Sequence, residues 1–189
     1  MKYAQLKVLA ISGSLRTESY NRKALQIAKQ IAADLGAEVT ELDLREFNLP
    51  IYDKDIQDQG MPESVQRLKK AIEATDVLMI ASPEYNYSVS GALKNAIDWA
   101  SRGEKNSLGG KVAIIFGAST GGFGTLRGQT HLRQILSSVN VLILPQPQVL
   151  ISRAEEAFNP DGSFVNPKNP EALKTLIEKT FKLARSIKS

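Results

Sequence analysis

The sequence predicts a doubly wound α/β sandwich of three layers: a five-stranded parallel sheet in the order 2-1-3-4-5 with helices on both faces. Three observations predict it. Five short apolar runs recur, "LKVLAI" (6–11), "EVTELDL" (38–44), "DVLMIA" (76–81), "KVAIIFGA" (111–118) and "VLILPQ" (141–146). Most are continuous in valine, isoleucine and leucine instead of alternating with polar residues, as expected of strands covered on both faces. Segments with helical spacing separate them, and that alternation calls for crossovers and therefore a parallel sheet. With 189 residues and 42% hydrophobic content, residues 1–189 are expected to form one domain.

The first helix is expected from Asn21 to Leu35, with Leu25, Ala28, Ile31, Ala32 and Leu35 on one face and Gly36 placed to cap it. The second runs from Pro62, whose missing donor costs nothing in a first turn, to about Ala74. A third begins near Val89 and carries Leu93, Ala96, Ile97 and Ala100 on one side. The fourth covers about 126–139 and the fifth about 170–187, preceded by a turn-rich surface connection at 158–170.

Composition removes several chemistries. The chain has no cysteine, so disulfides, thiolate metal sites and cysteine nucleophiles are excluded. A single histidine, His131, argues against zinc and against histidine acid–base catalysis, and fits an ordinary helix-surface or packed residue. The net charge of +4 is scattered among acids, which disfavours nucleic acid and suits anionic small molecules. No apolar segment is long enough to cross a bilayer, and no cleavage-type signal follows the first strand, so a cytoplasmic protein without a membrane partner is expected.

In the order 2-1-3-4-5, ligands bind beyond the carboxyl ends of the strands near the switch point, which gathers the loops after strands one, three and four. The first, "SGSLRTESYN" (12–21), offers hydroxyls at Ser12, Ser14, Thr17 and Ser19, the amide of Asn21 and the cation Arg16 ahead of a helix. Such a set suits a phosphate dianion, although a capped turn without a ligand would use many of the same residues. The loop after strand three offers Pro83, Glu84, Tyr85, Asn86, Tyr87 and Ser88, rings to flank a planar ligand and polar groups to read its edge. The third, "GASTGGFGTLRGQ" (117–129), has glycines and small hydroxyls that let backbone approach a flat ligand, or form only a flexible turn. Together they describe a site for a phosphate-tailed planar cofactor. Neither GxGxxG nor GxxxxGK[ST] is present, which disfavours a dinucleotide Rossmann site or a P-loop. Nucleophile–base sets and paired carboxylates are also missing, and Asp98, on a helix, reads as structural.

"GSLRTESYN", "SPEYNYSVSGALKNAIDWASR" and "GQTHLRQIL" together resemble the NADPH-dependent FMN reductase family, especially its quinone, chromate and azo reductase branch, over nearly the whole chain. The resemblance implies a flavodoxin-like fold and non-covalent FMN, with NADPH or NADH as co-substrate. By it, Ser14, Arg16, Ser19 and Asn21 would hold the phosphate, with Tyr20 also at the cofactor, while Pro83, Glu84, Tyr85 and Asn86 would line the isoalloxazine, Tyr85 and Asn86 shaping its face. Ser119, Thr120 and Gly121 would lie at the pyrimidine side. Small-molecule electron acceptors and a homodimer, with a homotetramer as the larger alternative, are implied as well. "LPIYD" (49–53) is similar to a segment near the subunit interface.

Two positions depart from close relatives: Thr130, often tyrosine, and Gln148, often acidic. Both lie in regions that resemble an assembly surface, so a dimer is favoured over a tetramer. No catalytic proton donor is assigned, because in ping-pong transfer from NAD(P)H to an acceptor the chemistry belongs mainly to the cofactor. Rival readings are an electron-carrier flavodoxin, which would typically be acidic, and a flavin-free module for a sugar phosphate or nucleotide.

Overall fold

In the computed structural model, which describes residues 3 and 6–188, runs of β-branched and leucine side chains build the middle of the sheet. Strands β1 (Lys7–Ser12), β2 (Glu38–Leu42), β3 (Val77–Ala81) and β4 (Val112–Ala118) pair in parallel in the order β2-β1-β3-β4. All residues of β3 and β4 are buried, which is why their sequences run continuously apolar. The outer strand β2 is largely solvent-facing and correspondingly richer in Glu and Thr.

The fifth position differs from expectation. Two short strands, β5 (Leu142–Ile143) and β6 (Val149–Ile151), both lie parallel to β4, the first beside Val112 and Ala113 and the second beside Phe116 to Ala118. Residues 144–148 between them include Pro145 and Pro147, which have no N–H to donate, so the ladder is interrupted where one strand was expected at 141–146. The strand order 2-1-3-4-5 is retained.

Alternate strand residues feed two cores. Val8, Ala10, Val77, Met79, Ile114 and Phe116 face α1 (Tyr20–Asp34) and α7 (Lys168–Lys188). Leu9, Ile11, Leu78, Ile80, Ala113 and Ile115 face α4 (Glu63–Glu73), α5 (Gly91–Ala100) and α6 (Leu126–Ser138). The period of two in the strands thus sends one side chain into each layer in turn.

Two short helices, α2 (Leu44–Phe47) and α3 (Lys54–Asp58), were not expected; each starts at an aspartate, Asp43 or Asp53, whose carboxylate accepts the N–H two residues on. The 158–170 connection is more ordered than a surface turn. Phe158 stacks on Phe164 at 4.9 Å and on Tyr20 at 6.1 Å between ring centres, fastening it to the start of α1. Among the described residues, no helix is long and apolar enough to cross a membrane.

Candidate functional site

Buried hydrogen bonds draw the three loops to one sheet edge. The Gly13 N–H donates to the Ala81 carbonyl at 2.9 Å, and the Ser90 hydroxyl, which also caps α5 through the Leu93 N–H, donates to the Gly13 carbonyl at 2.6 Å. Ser82 N–H reaches the Phe116 carbonyl at 2.9 Å, and Ser119 N–H the Ile151 carbonyl at 2.9 Å. Gly117 sits at the crossing point. A Cβ there would stand 2.2 Å from the Ser82 carbonyl oxygen and 2.3 Å from the Thr125 hydroxyl, so only glycine fits.

The loop after β1 folds on its own hydroxyls. Ser14 N–H donates to Ser12 Oγ, Arg16 N–H to Ser14 Oγ and Arg22 N–H to the N-cap Ser19 Oγ. Ser14 and Ser19 are buried, whereas Arg16 and Thr17 are exposed. Asn21, expected to contact a phosphate, is buried and has its amide on the Ala118 peptide. Tyr20 directs its half-buried ring onto Phe158.

After β3, Tyr85 and Ser88 exchange both backbone hydrogen bonds, at 2.9 and 3.0 Å, around Asn86 (φ 49°) and Tyr87 (φ 67°). Positive φ at both central residues is the pattern of a type I′ turn; asparagine tolerates it, but tyrosine does so at a cost. Glu84, Asn86 and Tyr87 line an open cavity of about 470 Å³. Pro83 is buried beneath, and the Glu84 carboxylate accepts the Gly128 N–H of α6 at 2.8 Å, tying this loop to the one after β4.

In the loop after β4, Ser119 Oγ accepts the Gly121 N–H, and Thr120, Gly121 and Gly122 are exposed. Behind it, Gln129 is buried and donates to the Val149 carbonyl at 3.0 Å, holding α6 against β6. The structure therefore gathers all the expected residues at one edge, with Asn21 and Glu84 engaged between loops. Asp98 lies apart, paired with Lys94 one turn earlier on α5 at 2.8 Å, and His131 is exposed on α6 with Nδ1 3.0 Å from Ser88 Oγ. Gln129 was missed because one glutamine in a helical segment carries no positional signal. A separate cavity of about 450 Å³ at the β2 edge of the sheet is lined by Asp43, Phe47 and Arg67, and its Asp43 is already paired with Arg22 and Arg45.

The family model for NADPH-dependent FMN reductases matches residues 6–156. The chain belongs to the NADPH-dependent FMN reductase family. It is 44% identical over 173 residues to an NAD(P)H-dependent FMN reductase of Pseudomonas aeruginosa, covering 92% of both chains. A 2-hydroxy-1,4-benzoquinone reductase of a Burkholderia species is 35% identical, over 92% of this chain and 93% of its own. Among solved structures, the flavoenzyme NAD(P)H:(acceptor) oxidoreductase FerB of Paracoccus denitrificans superposes with a TM-score of 0.84 at 33% identity, over 96% of this chain and 98% of that one. The fold is accordingly flavodoxin-like, and this FMN reductase homologue is an NAD(P)H-dependent flavoenzyme with FMN as cofactor.

The residues at the sheet edge fit that cofactor. Among the described residues, the backbone N–H groups of Leu15, Thr17 and Glu18 donate no internal hydrogen bond, and Arg16 forms no ion pair. Free amides beside an exposed guanidinium at the start of α1 are donors waiting for an anion. Across the edge, Gly122 has open space where a Cβ would be, so backbone there can meet a flat ring closely.

Proposed function

We propose that this FMN reductase homologue, working as one domain over residues 1–189, is an oxidoreductase that uses NADPH or NADH to reduce small acceptors by a ping-pong mechanism. The acceptors are quinones, chromate, azo compounds or free flavin, taken in turn at the exposed face that the nicotinamide vacates. The observation that carries the reading is the convergence of free loop amides and Arg16 with the Asn86–Tyr87 turn at one edge of the sheet. Bound there, FMN supplies hydride acceptance and onward electron transfer. The protein's own part is to bind and orient. Arg16, Ser14 and the loop amides hold the phosphate; Pro83, Tyr85 and Asn86 set the plane of the ring; Ser119, Thr120 and Gly121 meet its polar edge.

We also propose a homodimer, consistent with how the 49–53 segment is held. The Asn95 and Trp99 side chains both donate to the Pro50 carbonyl, at 2.9 and 2.7 Å, and Asn95 Oδ1 accepts the Tyr52 N–H at 2.8 Å. Between these anchors Ile51 is 84% exposed, a rigidly presented apolar side chain suited to a second copy in the cytoplasm.

Anaerobic mixing of the FMN-loaded protein with NADPH and with NADH tests the function. Bleaching of the flavin without added reductase, followed by recovery of colour on adding quinone, is expected, and parallel lines in double-reciprocal plots identify the ping-pong order. An unchanged spectrum with both nicotinamides would make the protein an electron carrier. Light scattering on the eluting protein gives the oligomeric state.

A further inference from the structure

The loop that lines the cavity at Glu84, Asn86 and Tyr87 is joined to the loop after β4 by a cation. Arg127, on the first turn of α6, lies with its guanidinium carbon 4.3 Å from the Tyr87 ring centre and 4.8 Å from that of Phe123. Tyr87 belongs to the loop after β3 and Phe123 to the loop after β4. Both rings are well exposed, at 64% and 62%, so neither serves the core. Tyr87 is moreover kept at positive φ by the Tyr85–Ser88 turn, an unfavourable backbone state for a tyrosine that fixes where its ring stands.

The guanidinium held this way has no acceptor. Among the described residues Arg127 forms no ion pair and none of its side-chain N–H groups makes a hydrogen bond. The nearby Glu84 carboxylate takes the backbone N–H of Gly128 instead. Two aromatic rings restrain a long flexible side chain and leave its donors free, an arrangement that prepays part of the ordering cost of gripping an anion.

We infer that Arg127 is a donor-specificity residue: it receives a phosphate group of the nicotinamide dinucleotide as that molecule lies across the cavity mouth. The inference rests on the proposed NAD(P)H-dependent activity. Of the two substrates in that cycle, the donor alone always carries phosphate, while a quinone acceptor is neutral and gains little from a fixed cation. The phosphate of FMN has its own donors at Arg16 and the amides of the loop after β1, on the other side of the edge.

The test uses FMN-loaded wild-type and Arg127→Ala proteins with saturating quinone. The KM for NADPH and for NADH is expected to rise about 3- to 20-fold, the range for a charge-assisted contact at an exposed site, with the quinone KM and the FMN dissociation constant unmoved. The variant's preference for NADPH over phosphate-free reduced nicotinamide riboside, as a ratio of kcat/KM, falls by a similar factor. Arg127→Lys, which keeps charge but not planar stacking, and Phe123→Leu, which unmoors the cation, give intermediate rises. Unchanged donor KM in Arg127→Ala, when wild-type holoenzyme is bleached by NADPH, overturns the inference alone; failure of NADPH and NADH to bleach wild type overturns it together with the activity. A raised FMN dissociation constant would move Arg127 into the flavin subsite. An altered oligomeric state with unaltered donor KM would assign the guanidinium to a second copy of the chain, and either result overturns the inference.

Discussion

The Asn21 side chain grips the Ala118 peptide from both sides, Nδ2 donating to its carbonyl at 2.8 Å and Oδ1 accepting its N–H at 2.9 Å. These residues are 97 positions apart in the chain, and both are buried, so one amide joins the start of α1 to the end of β4 and sets the distance between two ligand loops. Asn21→Ala would leave a buried N–H and a buried carbonyl without partners, and should cost about 1–3 kcal/mol. Urea denaturation checks this: the midpoint should fall with an unchanged slope, and FMN retention should fall with it. An unshifted midpoint would mean that water replaces the amide at no cost.

Arg16 should behave differently, because it is exposed and supports nothing in the fold. Arg16→Ala is expected to leave thermal stability of the flavin-free protein within about 0.5 kcal/mol of wild type. Its FMN affinity should weaken by about 1.5 kcal/mol, the low end for a charge-assisted contact since solvent competes at the site. Fluorescence titration of FMN measures it. Equal affinity in the two proteins would place the phosphate elsewhere.

Much of this was legible in the sequence, for identifiable reasons. β1, β3 and β4 are covered on both faces, so "LKVLAI", "DVLMIA" and "KVAIIFGA" could be read as strands directly. The "VLILPQ" run misled because apolar periodicity continues through Leu144 although Pro145 and Pro147 cannot extend the ladder. Helices α2 and α3, at four and five residues, are too short to show a period, and only their aspartate caps mark them. The loop residues of the site were legible by type, but what each side chain touches was not. Glu84 caps α6 and Asn21 holds Ala118, pairings between residues 44 and 97 positions apart in the chain. Arg127 is one of 24 basic residues in the sequence, and only the fold sets it against Tyr87 and Phe123.

The Asn86–Tyr87 turn allows recognition to be separated from backbone strain. At φ 49°, Asn86→Gly keeps an easy conformation, whereas Asn86→Ala must force one and should lose about 1 kcal/mol of stability. Both variants delete the amide. If that amide reads the flavin edge, kcat/KM should drop about fivefold in each, the equivalent of one hydrogen bond. A drop in the alanine variant alone would assign the effect to the turn.

Acid should expose a separate anchor under α2. Asp43 is held well below the usual carboxylate range, first by the Arg45 guanidinium at 2.6 Å and further by the Arg45 N–H and by Arg22 at 3.2 Å, against an opposing effect of burial. A carboxylate whose folded pKa is depressed contributes stability that is complete above its unfolded value, about 3.9, and is lost as pH falls from there toward the folded value. Asp43→Asn keeps a capping oxygen for α2 but not the charge, so it should be less stable by about 0.5–1 kcal/mol at pH 7. Denaturation at stepped pH should show the gap narrowing below about pH 4. A gap independent of pH would trace it to packing.

Two glycines of the loop after β4 distinguish architecture from ligand space. At Gly117 an added methyl would lie 2.2 Å from the backbone oxygen of Ser82, a residue just past β3 whose N–H is bonded to the Phe116 carbonyl, so Gly117→Ala should destabilise by about 3 kcal/mol or more. At Gly122 an added methyl meets nothing within 4 Å and the backbone is not in a left-handed conformation, so Gly122→Ala should be neutral or slightly stabilising by about 0.5 kcal/mol. The open space beside Gly122 is the space a bound ring would need for close backbone approach. Thermal melts and FMN titrations on the same samples check both: Gly122→Ala is expected to melt no lower than wild type while binding FMN several-fold more weakly. If it binds FMN as tightly as wild type, the flavin does not lie against that glycine, and the cofactor's polar edge must be sought nearer Ser119.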